Sequence, residues 1–273
     1  MMLSAGHGEC LASFPSAAGC AKPLFMLPCR PLSPCFRRLQ MTQRIIEITS
    51  PVFVPEAQLD GRIDPRQLFG AERPLALEIG CGIGDFIVQL ATCRPEYNYL
   101  AIDIYNKGCL KTCRKVEGAE LANVRVLRLE ARHLLEHYLA RETLAAVYIN
   151  CPDPWPKKRH RRRRLVNTDF LHNLLYYLQP GGEFYFSSDV HDYAAEVGQQ
   201  LAAIPGWQNR LPSPYALDLP GYPLSKYMRR FLDQGQAIHF LHHQKRADCR
   251  PEAASTTPIR PGFRVCWSSA ANE

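Results

Sequence analysis

Short, unbroken apolar runs recur from Leu75 onward, separated by stretches whose apolar positions return every three to four residues. The runs of strand length are Leu75–Ile79, Tyr99–Ile104, Val124–Leu129, Ala145–Ile149 and Glu183–Ser187. Between them, helical spacing runs through Asp85–Cys93, Lys107–Glu117, Leu134–Leu139, Thr168–Leu178 and Asp192–Ile204. Strands lacking polar alternation are buried on both faces, so this alternation predicts an α/β fold with a parallel sheet covered on both sides. Gln179-Pro180-Gly181-Gly182 separates the fourth helix from the fifth strand. Residues 205–223, rich in Pro, Gly and Ser, read as a long loop. Gln236–His242 reads as a last strand, antiparallel to its neighbours.

The two ends carry neither periodicity. Residues 1–40 contain four cysteines and a single acid, Glu9, and read as disordered or as preceding a true start at Met41. The domain is expected over 41–247, with a disordered tail over 248–273. A secretory signal fits poorly, because Pro15 interrupts the apolar residues and no positive charge precedes them. The eleven cysteines show no C-x-x-C pair and are odd in number, which points to reduced thiols and a cytoplasmic protein. No apolar run approaches the roughly 20 residues that span a bilayer, so no membrane association is expected. His133 and His137 are four apart on a helical stretch, but nothing nearby completes a metal site, and no metal is expected.

Charge changes the picture. The chain carries 33 Lys/Arg against 26 Asp/Glu. Seven of those cations fall within Lys157–Arg164, so the remainder is neutral and the basic character is local. Directly before that block, Cys151-Pro152-Asp153-Pro154-Trp155-Pro156 follows the fourth strand. Three prolines stiffen this loop. A carboxylate and an indole held beside a polycation suit a polyanion bearing a flat, hydrogen-bonding group, such as a nucleic-acid base.

The first strand leads into Glu78-Ile-Gly80-Cys-Gly82-Ile-Gly84-Asp85. A dinucleotide fingerprint would need glycine where Asp85 stands. Alternate glycines with an acid two residues earlier resemble instead the first motif of S-adenosylmethionine-dependent methyltransferases, in which Glu78 would anchor the cationic amino-acid end. Asp103 ends the second strand, where a carboxylate accepts from ribose hydroxyls. Glu130 follows the third, where an acid can take the exocyclic amine of adenine. Alone, Asp103 reads better as an exposed strand-end acid and Glu130 equally well as a solvated loop carboxylate; together with Glu78 they lie where an open α/β sheet binds ligands.

Asn150-Cys151-Pro152 faintly resembles the Asn-Pro-Pro-Tyr loop of amine methylases, which Cys151 breaks. The full run Pro152-Asp153-Pro154-Trp155-Pro156-Lys157-Lys158-Arg159-His160 is far more specific, and resembles the bacterial tRNA (guanine-N7-)-methyltransferase family. Glu78-Ile-Gly-Cys-Gly, Asn123-Val-Arg, Arg163-Arg164-Leu165, Leu178–Gly182 and Ser188-Asp189 with Tyr193 fit it too. The resemblance implies a Rossmann-like class I methyltransferase fold, a seven-stranded, mostly parallel sheet with helices on both faces. It implies S-adenosyl-L-methionine as cofactor, tRNA as partner with no obligate protein partner, and methylation of the variable-loop guanine at N7. It places Glu78, Asp103, Glu130 and Asp153, with Gly80, Gly82 and Gly84, at the cofactor and Asp153 at the catalytic position. Lys157, Asp189 and the segment Ser225-Lys226-Tyr227-Met228 fall at substrate-binding positions. In that segment the family reads Thr-x-Phe-Glu, so Met228 supplies no carboxylate. Asp103 and Glu130 also exchange the acid types expected there.

Lys158, Arg159, Arg161, Arg162, Arg163 and Arg164 are the expected phosphate contacts; the duller reading is a solvated face that keeps the protein soluble. Two other functions share these features. One is an S-adenosylmethionine-dependent methyltransferase acting on another base, and the other a non-catalytic RNA-binding module with this fold.

Overall fold

The run Leu75–Ile79 forms β1, buried along its whole length, which is why it carries no polar alternation. β1 pairs in parallel with β2 (Asn98–Ile102) and β4 (Leu144–Asn150). Beyond these lie β3 (Val124–Leu127), parallel to β2, and β5 (Leu178–Ser188), parallel to β4. β7 (His239–Lys245) runs antiparallel to β5, and the short β6 (Trp207–Asn209) antiparallel to β7. The order is β3-β2-β1-β4-β5-β7-β6, seven strands in one mixed sheet. This computed structural model describes residues 46–251.

The helices α1 (Pro65–Phe69), α2 (Asp85–Cys93), α3 (Asn106–Gly118), α4 (Ala131–Tyr138), α5 (Thr168–Tyr177), α6 (His191–Ala203) and α7 (Lys226–Asp233) complete the described fold. Two apolar clusters sandwich the sheet. One packs Leu77, Ile102, Leu134, Val147, Leu171 and Phe184. The other packs Ala76, Phe86, Leu90, Tyr99, Cys109, Cys113 and Tyr148. Cys109 and Cys113 thus pack in the core between α3 and the sheet.

Most predicted elements are present within a residue or two. Three short ones escape the sequence pattern. α1 is a five-residue helix capped by Asp64 with Pro65 at its first position, too brief to show a period. β6 lies inside the stretch expected to be loop, and α7 presents a mostly exposed surface. Residues 1–40, expected to precede the domain, lie outside the described residues, as does the tail beyond Pro251. Cys249, past the expected boundary at 247, still packs against the core.

Candidate functional site

The C-terminal ends of β1 and β2 and the start of α2 form the first part of the site. Gly84 caps α2 in the left-handed region (φ 81°), and a Cβ there would come within 2.9 Å of Thr112 on α3. Gly80 and Gly82 also have positive φ, yet a Cβ on either would meet nothing within 4 Å. Their open side is the cradle. The loop's own amides are largely committed: Gly80 and Cys81 donate to Ile102 O (2.8 and 3.0 Å) and Gly84 to Cys81 O (2.9 Å). Gly82 N–H donates to Asp103 Oδ2 at 2.8 Å.

That bond, with Tyr105 N–H donating to Oδ1 (2.8 Å), fixes the Asp103 carboxylate. Burial raises the Asp103 pKa against these bonds, and the Asp153 charge adds to the rise. Glu78 is 1% exposed. Burial, then the Asp103 charge, push it up to about 8, with the Asn150 side chain easing the shift. Its Oε2 is buried without a hydrogen-bond partner. A buried carboxylate with an unpartnered oxygen beside an open glycine turn fits an ammonium group. Glu130 is buried and caps α4, accepting from Arg132 and His133 N–H through Oε2 (2.8 and 3.1 Å).

The second part follows β4. Cys151 and Trp155, neither of them glycine, sit in the left-handed region at φ 45° and 43°, bracketing Pro152-Asp153-Pro154. Each such residue costs about 1–3 kcal/mol and persists only where its surroundings hold it. Here Cys151 N–H donates to Ser187 O (2.9 Å), and Arg164 Nε donates to Pro154 O (2.8 Å). Asp153 is left exposed at the crest. Burial and the Asp189 charge push the Cys151 thiol up to about 12, so it stays protonated.

Lys158–Arg163 form a 3₁₀ turn. Lys157, Lys158, Arg159, Arg162 and Arg163 are exposed, and Arg161 pairs with Asp192 at 3.2 Å. The Arg163 guanidinium lies 4.9 Å from the Trp155 ring centre, so one indole face is already covered. Desolvation and the cations of Arg163, Arg159, Lys157 and Arg162 lower the His160 pKa.

Two residues expected at the substrate from sequence are turned inward. Arg164, grouped with the phosphate contacts, is 1% exposed, ion-paired with Glu196 and laid 4.4 Å from the Tyr193 ring centre. Its guanidinium holds the loop rather than facing solvent. Met228, placed at the substrate, is fully buried against Ile238 and Phe240. Its Sδ accepts from Ser225 N–H (3.3 Å) while Ser225 Oγ accepts from Met228 N–H (3.2 Å), a capping box with a thioether where a carboxylate is usual. Lys226 and Tyr227 are exposed. α7 meets α2 through Arg229–Asp85 (3.4 Å), and Gln89 Nε2 on α2 donates to Leu224 O (3.0 Å) just before the α7 cap. Asp189, half-buried, follows β5 beside the Cys151 loop.

Sequence reasoning assigns no part to Tyr222, whose hydroxyl donates to Asn150 Oδ1 at 2.8 Å. It falls in the aperiodic stretch before α7, where no spacing signals a side chain turned inward. Among the described residues no group of three or more His, Cys, Asp or Glu could hold a metal ion. His133 instead meets Glu56 at 2.6 Å. No described helix is long and apolar enough to cross a membrane.

The fold and the acid-lined glycine cradle define a class. A family model described as “Putative methyltransferase” matches residues 72–241. The crystal structure of the 16S rRNA methyltransferase KamB shares the fold, with a TM-score of 0.51 at 16% identity over 75% of this chain and 97% of that one. The protein is an S-adenosylmethionine-dependent methyltransferase of the Rossmann-like class. The tRNA (guanine-N(7)-)-methyltransferase of Syntrophotalea carbinolica is 63% identical over 84% of this chain and 99% of its own length. That of Geobacter metallireducens is 50% identical over 76% and 98%. The chain belongs to the tRNA (guanine-N(7)-)-methyltransferase family.

Proposed function

We propose that this protein, working in the cytoplasm, methylates N7 of the variable-loop guanine of tRNA, with S-adenosylmethionine as donor. The observation that carries the reading is the juxtaposition of two unlike sites on one sheet edge. A buried, acid-lined cradle lies beside an exposed carboxylate, Asp153, on a strained loop that runs into a cationic turn.

The cofactor supplies an electrophilic methyl group. Glu78 would hold its ammonium end, Asp103 the ribose, and Glu130, through the oxygen not engaged in capping, the adenine. Guanine N7 exposes a lone pair, so no proton need be removed before transfer, and the product ring is cationic. General base catalysis is therefore not required. Asp153 would accept from guanine N1–H and N2–H₂ while its charge opposes the one developing on the ring. Lys157 and Asp189 border the same loop, and the exposed cations of the 3₁₀ turn would grip phosphates around a base splayed from the folded RNA. Ser225, Lys226 and Tyr227 lie at the start of α7, where Lys226 and Tyr227 face outward.

Incubating the protein with unmodified tRNA and labelled S-adenosylmethionine, then mapping the product by mass spectrometry, tests this directly. The expected product is N7-methylguanosine in the variable loop. Label at another nucleotide would replace the proposed substrate position, and no label would leave an RNA-binding module.

A further inference from the structure

Asn150 closes β4 on the same face of the sheet as Glu78, because Glu78 is paired with Tyr148 and Asn150 stands two residues on. Its Oδ1 accepts from two hydroxyls, Tyr222 at 2.8 Å and Ser187 at 3.1 Å. Both lone pairs of that oxygen are thereby filled. Burial keeps the Tyr222 phenol well above its usual range, so it remains a donor. In this orientation the oxygen faces the two hydroxyls and the amide nitrogen faces the Glu78 carboxyl, whose raised pKa it eases. Yet no well-formed hydrogen bond joins the two: Nδ2 and Glu78 Oε2 are both buried short of a full partner.

A buried donor and a buried acceptor left open side by side match a zwitterion, whose carboxylate needs the one and whose ammonium needs the other. Only the amino-acid end of S-adenosylmethionine carries both charges. In this turn the carboxylate has few backbone donors to turn to. The amides of Gly80, Cys81, Gly82 and Gly84 already donate within the protein.

We propose that Asn150 Nδ2 binds the carboxylate of the cofactor's amino-acid end, and that Tyr222 and Ser187 are positioning residues that aim it. The proposal rests on the cofactor assignment. Asn150 thus reads the end of the cofactor that Glu78 reads from the other side, and the pair distinguishes it from nucleosides lacking that end.

The test is calorimetric binding of S-adenosylhomocysteine and of 5′-methylthioadenosine, which has the nucleoside and thioether but no amino-acid end. With Asn150→Ala, S-adenosylhomocysteine affinity should fall about tenfold to a hundredfold, the range for a hydrogen bond to a charged group. Methylthioadenosine affinity should stay within about twofold, which also shows that the variant is folded. Tyr222→Phe removes one hydroxyl and should weaken S-adenosylhomocysteine about threefold to tenfold, with no further loss when added to Asn150→Ala. Equal losses for both nucleosides, or no loss for either, would overturn the assignment. Additive losses in the double variant would overturn the positioning role. Failure of the wild-type protein to bind S-adenosylhomocysteine at all would instead remove the cofactor reading beneath it.

Discussion

The two ends of the site solve opposite problems. At the β1–β2 end the carboxylates are withdrawn from water: Glu78 is buried and raised to about 8, and Asp103 is fixed by two backbone amides. At the β4 end Asp153 and five neighbouring cations stand in solvent. A small cofactor gains specificity from a dry slot whose polar atoms wait for partners. A polyanion is gathered by exposed charge acting over about 8–10 Å, where burial would only add a desolvation cost. The boundary between the regimes runs through single side chains, since Arg164 belongs to the cationic run yet is buried in its anchor.

The sharpest way to break this comparison is Asp153→Ala. An exposed residue at the crest of the loop should matter to the transition state more than to the cofactor. Turnover should fall about a thousandfold, comparable to losing one charge-stabilising group, while S-adenosylhomocysteine affinity stays within about tenfold. Single-turnover kinetics alongside calorimetry would show it, and near-wild-type turnover would end the proposed role.

Arg164→Ala should act on the fold instead. It strips Glu196 of its partner and unties Pro154, for a loss of about 2–3 kcal/mol, below the range for fully buried pairs because Glu196 is one-third exposed. Chemical denaturation would read that loss. Normal stability with weakened tRNA binding would return Arg164 to the phosphate contacts.

Glu78→Gln tests the dry end through pH. A carboxyl raised from 4.5 to about 8 on folding holds its proton more tightly in the native state. Native stability of the cofactor-free protein should therefore fall as pH rises from about 4.5 to 8, at up to about 1.4 kcal/mol per pH unit. Glutamine removes that dependence, so the free variant should melt several degrees higher at pH 8. Its S-adenosylhomocysteine affinity should drop tenfold or more. In the wild type, binding an ammonium at pH 7 should expel close to one proton, measurable by calorimetry in buffers of different ionisation enthalpy.

The exposed cations should produce a graded effect. Replacing Arg159, Arg162 and Arg163 with alanine should reduce the slope of log tRNA affinity against log salt by about 0.7–0.9 for each phosphate no longer neutralised. Cofactor affinity should not change. An unaltered slope would move the RNA to another face.

How much of this is legible in the amino-acid order follows the same division. Strands buried on both faces announce themselves as apolar runs, and a glycine turn with acids at strand ends is written in residue order, so the sheet and the turn are legible in the chain. The direction of a side chain is not. Arg162, Arg163 and Arg164 are identical in the sequence, and only the 3₁₀ turn and the position of Tyr193 send the last one inward. Tyr222 reaches Asn150 from 72 residues away through an aperiodic stretch. No local spacing encodes such a contact.

Met228 gives the smallest expected effect. Its side chain is enclosed by Ile238 and Phe240, and its sulfur takes only a weak hydrogen bond from Ser225 N–H. Leucine has similar volume and would lose that bond alone, so Met228→Leu should cost less than about 1.5 kcal/mol in stability. Both tRNA affinity and turnover should be unchanged, because the substitution stays beneath the surface that Lys226 and Tyr227 present. Met228→Glu separates packing from recognition more severely. A carboxylate there must either find Ser225 N–H, completing an ordinary capping box with little loss, or remain desolvated in an apolar cluster and destabilise α7. Hydrogen exchange across Lys226–Asp233 would distinguish these results. A gain in tRNA affinity from Met228→Glu, with exchange in α7 unaltered, would mean that the acid reaches the RNA and that the buried orientation of Met228 is specific to the thioether.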